Sequence, residues 1–150
     1  MQLRVRCDID PSGPPKYEKL LTEPRPDGSY SLLRAPSITL GLAAGDVFGL
    51  DDEGFARVHH RGGNITVQVL SLTPLSREDL ARLDRAAVRL GGTFDVHTEH
   101  TVGLTIPVSA GFGEIEQTFD KFCEGRDGCE WSLANVFDGD GNPLNWWQGS

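Results

Sequence analysis

Residues 65–92 have the sequence ITVQVLSLTPLSREDLARLDRAAVRLGG, in which a strand pattern is followed by a helix pattern. In the first part Ile65, Val67 and Val69 alternate with neighbours on the other face, which is typical of a strand with one buried face. Ser76 and Asp79 form a capping-box-like pair, which predicts a helix that begins at this point. The apolar stripe of that helix consists of Leu80, Leu83, Ala87 and Leu90. The two glycines that follow predict its end.

The same alternation of strand and helix continues downstream. Strand patterns occupy residues 93–98 and 101–108, and a last one occupies residues 129–137. Between them, apolar residues at helical spacing predict a second helix that ends at Gly125. Those residues are Phe112, Ile115, Phe119 and Phe122. The order β-α-β-β-α-β predicts a ferredoxin-like unit over residues 63–137, with two helices on one face of a four-stranded antiparallel sheet.

Residues 1–62 carry a different pattern, in which five short strand-like segments are separated by turn residues. The segments lie at residues 2–9, 17–23, 29–34, 47–50 and 55–60. They predict a small β-barrel-like unit or a curled sheet. The fold class expected for the 150-residue chain is therefore α+β, with this β-rich unit first, the βαββαβ unit second and an irregular tail over residues 138–150.

The net charge of −8 is concentrated in the last third of the chain. Residues 95–150 contain ten acidic residues, against only Lys121 and Arg126 as basic ones. Such a field repels phosphate backbones, so we expect no nucleic-acid partner, whereas a basic protein would be attracted. Solubility is the alternative explanation of the same charge.

No apolar stretch is long enough for a membrane helix, and the first residues have no apolar signal-peptide core. We therefore expect a cytoplasmic protein that does not enter the membrane. The three cysteines, Cys7, Cys123 and Cys129, are expected to be free thiols in a reducing compartment. The spacing of Cys123 and Cys129 is wider than that of a usual zinc half-site.

Other candidate metal sites are weak. His97, Glu99 and His100 flank a predicted hairpin turn, where a two-histidine, one-carboxylate site and an exposed polar turn both remain open. His59 and His60 are expected to point to opposite faces of a strand. Residues 138–142 (DGDGN) begin like a calcium loop, but Gly149 stands where the twelfth-position carboxylate is needed, which favours a glycine-rich turn. We expect neither a metal nor another cofactor.

Motifs for catalysis are absent from the sequence. Residues 45–49 (GDVFG) lack the Lys-Ser/Thr that follows a phosphate-binding loop. No serine lies in a Gly-x-Ser-x-Gly context, and no local Cys-His signature is present. The sequence therefore predicts no catalytic residue, and we expect a protein that is not an enzyme.

Charged residues form two ridges on the predicted helices. Arg82, Arg85 and Arg89 lie opposite the apolar stripe of the first helix. On the second helix an acidic ridge is expected, formed by Glu116, Asp120 and Glu124. These ridges are either solvated faces or an electrostatically patterned docking face. A second, lower-ranked acidic contact is the turn formed by Asp51, Asp52 and Glu53.

Short motifs spread along the chain resemble one bacterial family. The most specific is residues 41–47 (GLAAGDV), supported by residues 63–64 (GN). Weaker matches are residues 27–30 (DGSY), 35–36 (AP), 90–92 (LGG) and 106–107 (IP), together with Pro15 and Glu18. With these motifs the chain resembles the bacterial family known as domain of unknown function forty-two sixty-five over residues 3–137. The resemblance implies one α+β unit of bacterial, cytoplasmic origin, and it implies no catalytic residue.

Two functions fit these observations. The first is a non-catalytic protein-binding module, in particular an immunity-type protein that neutralises a basic bacterial toxin domain by occluding it. The alternative is a small-molecule-binding regulatory sensor, since a βαββαβ unit can pair across sheet edges and bind a ligand at the seam. The sequence leaves the oligomeric state open.

Overall fold

Two antiparallel sheets and two helices form the fold, as seen in a computed structural model that describes residues 1–10 and 12–148. The first sheet contains β1 (Gln2–Arg6), β2 (Tyr17–Pro24), β3 (Tyr30–Leu32), β4 (Val47–Leu50) and β5 (Ala56–His60). The second contains β6 (Asn64–Ser71), β7 (Thr93–His97), β8 (Thr101–Pro107) and β9 (Cys129–Leu133). The helices are α1 (Arg77–Arg89) and α2 (Phe112–Cys123). The prediction of a mixed α+β chain is confirmed.

The first sheet is an open meander in the order β1-β2-β3-β4-β5, with each strand antiparallel to the next. The prediction of five strands is correct, but the alternative of a β-barrel is wrong. Within the described residues no strand pairing joins β1 to β5, so the sheet does not close, although the Arg6 amide donates to the Gly54 carbonyl in the β4–β5 turn at 2.9 Å. Its small core lies around Val5, Leu32 and Phe48, which are almost completely buried.

The second sheet has the order β7-β8-β6-β9, and all neighbouring strands are antiparallel. Ile65, Val67 and Val69 of β6 face the helices and are buried with the apolar stripes of α1 and α2. Leu83, Ile115 and Phe119 have no exposed surface, and full burial of such a side chain contributes about 1.5–3 kcal/mol. The spacing of apolar residues in the sequence therefore positioned both helices correctly.

Helix α1 begins at the predicted cap. The Ser76 hydroxyl accepts a hydrogen bond from the Asp79 amide at 3.0 Å, and the Asp79 carboxylate accepts one from the Ser76 amide at 2.9 Å. This pair satisfies two backbone donors at the helix start. At the other end Gly91 has φ +84°, a left-handed conformation that disfavours a side chain and terminates the helix.

The last strand is shorter than expected. The sequence pattern predicts a strand over residues 129–137, whereas β9 ends at Leu133. The reason is the buried side chain of Asn135, whose Oδ1 accepts from the Thr66 amide at 3.0 Å and whose Nδ2 donates to the Asn64 carbonyl at 2.9 Å. These bonds take the place of backbone bonds that a longer β9 would make to β6, beside one remaining backbone bond from the Ala134 amide to the Thr66 carbonyl at 2.9 Å.

The loop between β3 and β4 covers the face of the second sheet that lies away from the helices. The Thr66 hydroxyl donates a hydrogen bond to the Leu42 carbonyl in this loop. The Gln68 side-chain amide donates to the carbonyls of Pro36 and Thr39. The Glu18 carboxylate of β2 holds the same loop, accepting bonds from the amides and hydroxyls of Ser37 and Thr39 at 2.6–2.9 Å. The loop therefore fastens the two sheets to each other.

The segment after residue 137 has no helix or named strand in its described part. The Trp146 indole nevertheless donates to the Asn135 carbonyl at 2.8 Å, and Trp146 and Trp147 pack against the larger core. Gly149 and Ser150 lie outside the described residues. The calcium-loop interpretation of residues 138–149 depends on Gly149 and therefore lies partly outside them as well. Nowhere in residues 1–10 and 12–148 is there a helix long and apolar enough to span a membrane.

Candidate docking surface

The acidic ridge lies at the surface of the second unit. Glu116 and Asp120 are exposed on α2, on the side away from its buried stripe. The helix was expected to extend to Gly125, but it ends at Cys123, so Glu124 is the C-cap residue rather than the next member of a helical row. The Glu124 side chain is exposed as well. All three carboxylates therefore face solvent from one end of the unit.

The ridge has one cationic neighbour, Lys121, which lies near Asp120 and Glu124 without a close ion pair to either in the described residues. Within the part of the chain that the structure describes, no ion pair involves Glu116, Asp120 or Glu124. Asp120 does have a structural partner, since its Oδ1 accepts a hydrogen bond from the Trp131 indole at 2.8 Å. Glu116 and Glu124 are therefore the ridge carboxylates that can change without disturbing a side-chain hydrogen bond described here.

The second acidic candidate is the turn at Asp51, Asp52 and Glu53. Two of its three carboxylates make contacts within the protein. The Asp51 carboxylate accepts from the Glu53 and Phe55 amides, both at 3.0 Å, and pairs with Arg57 at 3.1 Å. Burial raises the pKa of Asp51, but these bonds outweigh it and leave the pKa below its usual value. Glu53 lies 3.8 Å from Arg6. The turn therefore presents less unpaired charge than the ridge.

Two of the three ridge arginines of α1 contact the second helix, so this side of α1 is not simply solvated. The Arg82 guanidinium lies 5.1 Å from the centre of the Phe122 ring, and Arg89 donates to the Thr118 hydroxyl at 2.6 Å. Both contacts reach across to α2. Together with Arg85 and Lys121, these arginines line a groove between the helices. The sequence pattern located the arginines but missed Lys121 and Thr118, because only the packing of α2 beside α1 brings them to the same groove.

The histidines are not gathered into a metal site. The His97 ring packs against Phe94, while His100 Nδ1 lies 3.0 Å from the Ser71 carbonyl. Glu99 lies 3.9 Å from His100. Across residues 1–10 and 12–148 there is no group of three His, Cys, Asp or Glu residues suited to hold a metal ion.

Burial raises the pKa of two thiols and of one carboxyl group in the protein. Burial and the neighbouring Cys129 thiol raise the pKa of Cys123 to about 12, and burial raises that of Cys7 as well. A nucleophilic cysteine needs the opposite shift. Burial likewise raises the pKa of Asp46, whose carboxylate is enclosed by the Ala43 and Gly62 amides and by Arg61 at 3.0–3.1 Å. These contacts give Asp46 a structural role.

Comparison with protein families adds to this geometry. A family model described as domain of unknown function (DUF4265) matches residues 18–131, about three quarters of the chain. The chain belongs to the DUF4265 family. The resemblance noted in the sequence is therefore confirmed.

Two further comparisons concern individual proteins. The fold is similar to a solved structure described as a "novel crystal structure of a hypothetical protein from Neisseria gonorrhoeae". The two are 16% identical, the match covers 89% of this chain and 94% of the other, and the TM-score is 0.66. A likeness at this identity concerns the fold alone. No curated protein matches the chain.

The DUF4265 match begins in β2 at Glu18 and ends in β9 at Trp131. It therefore includes both helices, the acidic ridge and the loop that joins the two sheets. Strand β1 and the tryptophans of the tail lie outside it. The candidate docking surface lies within the residues that the DUF4265 model matches.

Proposed function

We propose that this DUF4265 protein is a non-catalytic protein-binding module of the immunity type, which occludes a basic bacterial toxin domain. The observation that carries the proposal is the acidic ridge, whose carboxylates are exposed and take no part in an ion pair within the described residues. The ridge lies in the segment that holds the excess negative charge of the chain.

The physical basis of the proposal is electrostatic steering. A cluster of exposed carboxylates attracts a partner of opposite charge and speeds the encounter, with less effect on how slowly the complex dissociates. Toxin domains that attack nucleic acid carry a basic surface for their own substrate. An acidic inhibitor would cover that same surface, and it needs no catalytic group to do so.

The fold of the second unit is part of the proposal. We infer that β6-α1-β7-β8-α2-β9 is a ferredoxin-like unit, and the strand order β7-β8-β6-β9 with antiparallel pairing supports this. Both helices then lie on one face, which leaves α2 open to a partner. A bacterial cytoplasm is the setting we propose, because an immunity protein must meet its toxin inside the cell that makes it.

The test measures association with the protein encoded by the neighbouring gene. We expect a complex whose association rate falls between about 0.1 M and about 1 M salt, where the Debye length shortens from about 10 Å to about 3 Å. The double variant Glu116→Lys with Glu124→Lys should associate more slowly and lose most of this salt dependence. Co-expression with wild type should also protect cells from that partner.

The matched control reverses the same number of charges outside both acidic candidates, with Glu23→Lys on β2 and Asp84→Lys on α1. Both residues are exposed. We expect this control to keep most of the wild-type rate. If the control slows association as much as the ridge variant does, the ridge is not the contact. If wild type neither binds nor protects, the immunity proposal is wrong.

A further inference from the structure

A groove of about 280 Å³ separates the exposed sides of α1 and α2. Four cationic side chains line it, three from α1 and one from α2: Arg82, Arg85, Arg89 and Lys121. The Thr118 hydroxyl adds a neutral polar group, and Ala86 and Phe122 supply apolar surface. Among the residues that the structure describes, no aspartate or glutamate lines the groove, although the chain has 22 acidic residues and only 14 basic ones.

Two of the cationic groups are held toward α2. The Arg82 guanidinium lies 5.1 Å from the centre of the buried Phe122 ring. Arg89 donates to the Thr118 hydroxyl, which in turn donates to the Glu114 carbonyl at 2.7 Å. Because these contacts limit the rotamers of both arginines, less side-chain entropy is lost when a ligand binds.

The four cations of the groove are not held in close ion pairs within the described residues, although Asp120 and Glu124 lie near Lys121. Arg82, Arg85 and Arg89 stand three and four positions apart on one helix, a spacing at which like charges destabilise a helix. An anion bound between the helices would offset this repulsion.

We propose that the α1–α2 groove binds the phosphate group of a small phosphorylated molecule. Arginine presents a planar fork of donors that matches phosphate oxygens, and Lys121 adds a point charge from the facing helix. The volume suits a ligand at or below the small end of the usual range for binding pockets. The apolar side chains of Ala86 and Phe122 provide a surface for the part of the ligand that carries no charge.

This proposal is independent of the acidic ridge, because it uses different side chains and a ligand of the opposite charge. It also differs from nucleic-acid binding. The groove is a local positive site on a chain of net charge −8, so a long phosphate backbone would be repelled by the surrounding surface.

The test uses pyrophosphate as the probe, titrated into the full chain by calorimetry. We expect saturable binding by wild type. The double variant Arg85→Gln with Lys121→Gln should weaken it at least about tenfold, since each removed charged hydrogen bond typically costs about that factor or more. These two side chains are exposed, and no described hydrogen bond or ion pair of the fold uses them, so the variant should remain folded. Arg85→Lys should lose less affinity, because it keeps the charge but not the fork.

A matched control removes two exposed lysines at the start of β2, with Lys16→Gln just before the strand and Lys19→Gln within it, and should bind as wild type does. In a second readout, amide resonances of α1 and α2 should shift on titration. Equal affinity of the groove variant and wild type would overturn the proposal. So would citrate binding as tightly as pyrophosphate, or a short single-stranded oligonucleotide binding more tightly than either.

Discussion

Arg126, in the turn after α2, forms an ion pair with Asp79, in the first turn of α1. The Asp79 carboxylate also completes the capping box with Ser76, so one side chain both caps α1 and ties it to the end of α2. The Arg126 guanidinium lies 4.5 Å from the centre of the Phe122 ring. The pair therefore fixes the relative position of the two helices that bear the acidic ridge and the basic groove.

Removing the charge of Arg126 should destabilise the protein. In Arg126→Gln we expect the free energy of unfolding to fall by about 1–3 kcal/mol, because a half-buried charged hydrogen bond is lost. Urea denaturation at neutral pH measures this loss. Arg77→Gln is the control, since Arg77 is exposed at the start of the same helix and should change stability by less than about 0.5 kcal/mol.

The same pair predicts a pH dependence. The hydrogen bond from Arg126, with those from Ser76, outweighs burial and lowers the pKa of Asp79 to about 2. An unfolded aspartate titrates near about 3.9, so between these values the unfolded chain binds more protons than the folded one. This contribution to stability is complete above about pH 5 and should be lost as the pH falls toward 2. Wild type and Asp79→Asn should therefore converge in stability at low pH, and a constant difference would contradict this origin.

Phe119 should be essential for folding. Its side chain is completely buried among the apolar residues of α2 and the second sheet. Phe119→Asp places a charge there and should abolish cooperative thermal unfolding, and Phe119→Ala should lose about 3–5 kcal/mol. Gln117→Asp, at an exposed position of the same helix, should melt nearly as wild type does. An unchanged melting temperature in Phe119→Asp would show that the helix faces a different way.

Asn135 should contribute more to stability than its place after the last strand suggests. Asn135→Ala would leave the buried Thr66 amide without its acceptor, which typically costs about 1–3 kcal/mol. Denaturant titration measures the loss. Asn142→Ala, at an exposed position in the tail, is the matched control. Equal stability of the two variants would mean that the Asn135 bonds do not hold the end of β6.

Cys123 should resist alkylation in the folded protein. With a pKa of about 12 its thiol is almost entirely protonated at pH 8, whereas an unperturbed cysteine of pKa about 8.5 is substantially ionised. Peptide mapping after iodoacetamide treatment should give little label at Cys123 in native protein and full label in urea. Rapid native labelling would contradict the burial of this thiol.

The sequence by itself determined the local structure of this protein. Alternation in residues 65–72 and helical spacing in residues 80–90 and 112–122 located strand β6 and both helices, because those periods report which face of each element is buried. The two ends of α1, at Ser76 and Gly91, could also be predicted from the sequence. Each end depends only on backbone groups a few positions away. The exposure of Glu116 and Asp120 followed from the same helical geometry, whereas Glu124 lies just beyond the helix.

The tertiary structure alone decided how these elements meet. Whether the first sheet closes depends on pairing between β1 and β5, which lie more than fifty positions apart, and no local pattern reports it. The early end of β9 depends on Asn135 bonding to Thr66, and the basic groove depends on Lys121 packing beside three arginines of α1. Each of these is a contact between groups that are distant in the chain. Local periodicity fixes only which side of an element is apolar, whereas the polar contacts between elements are selected by packing.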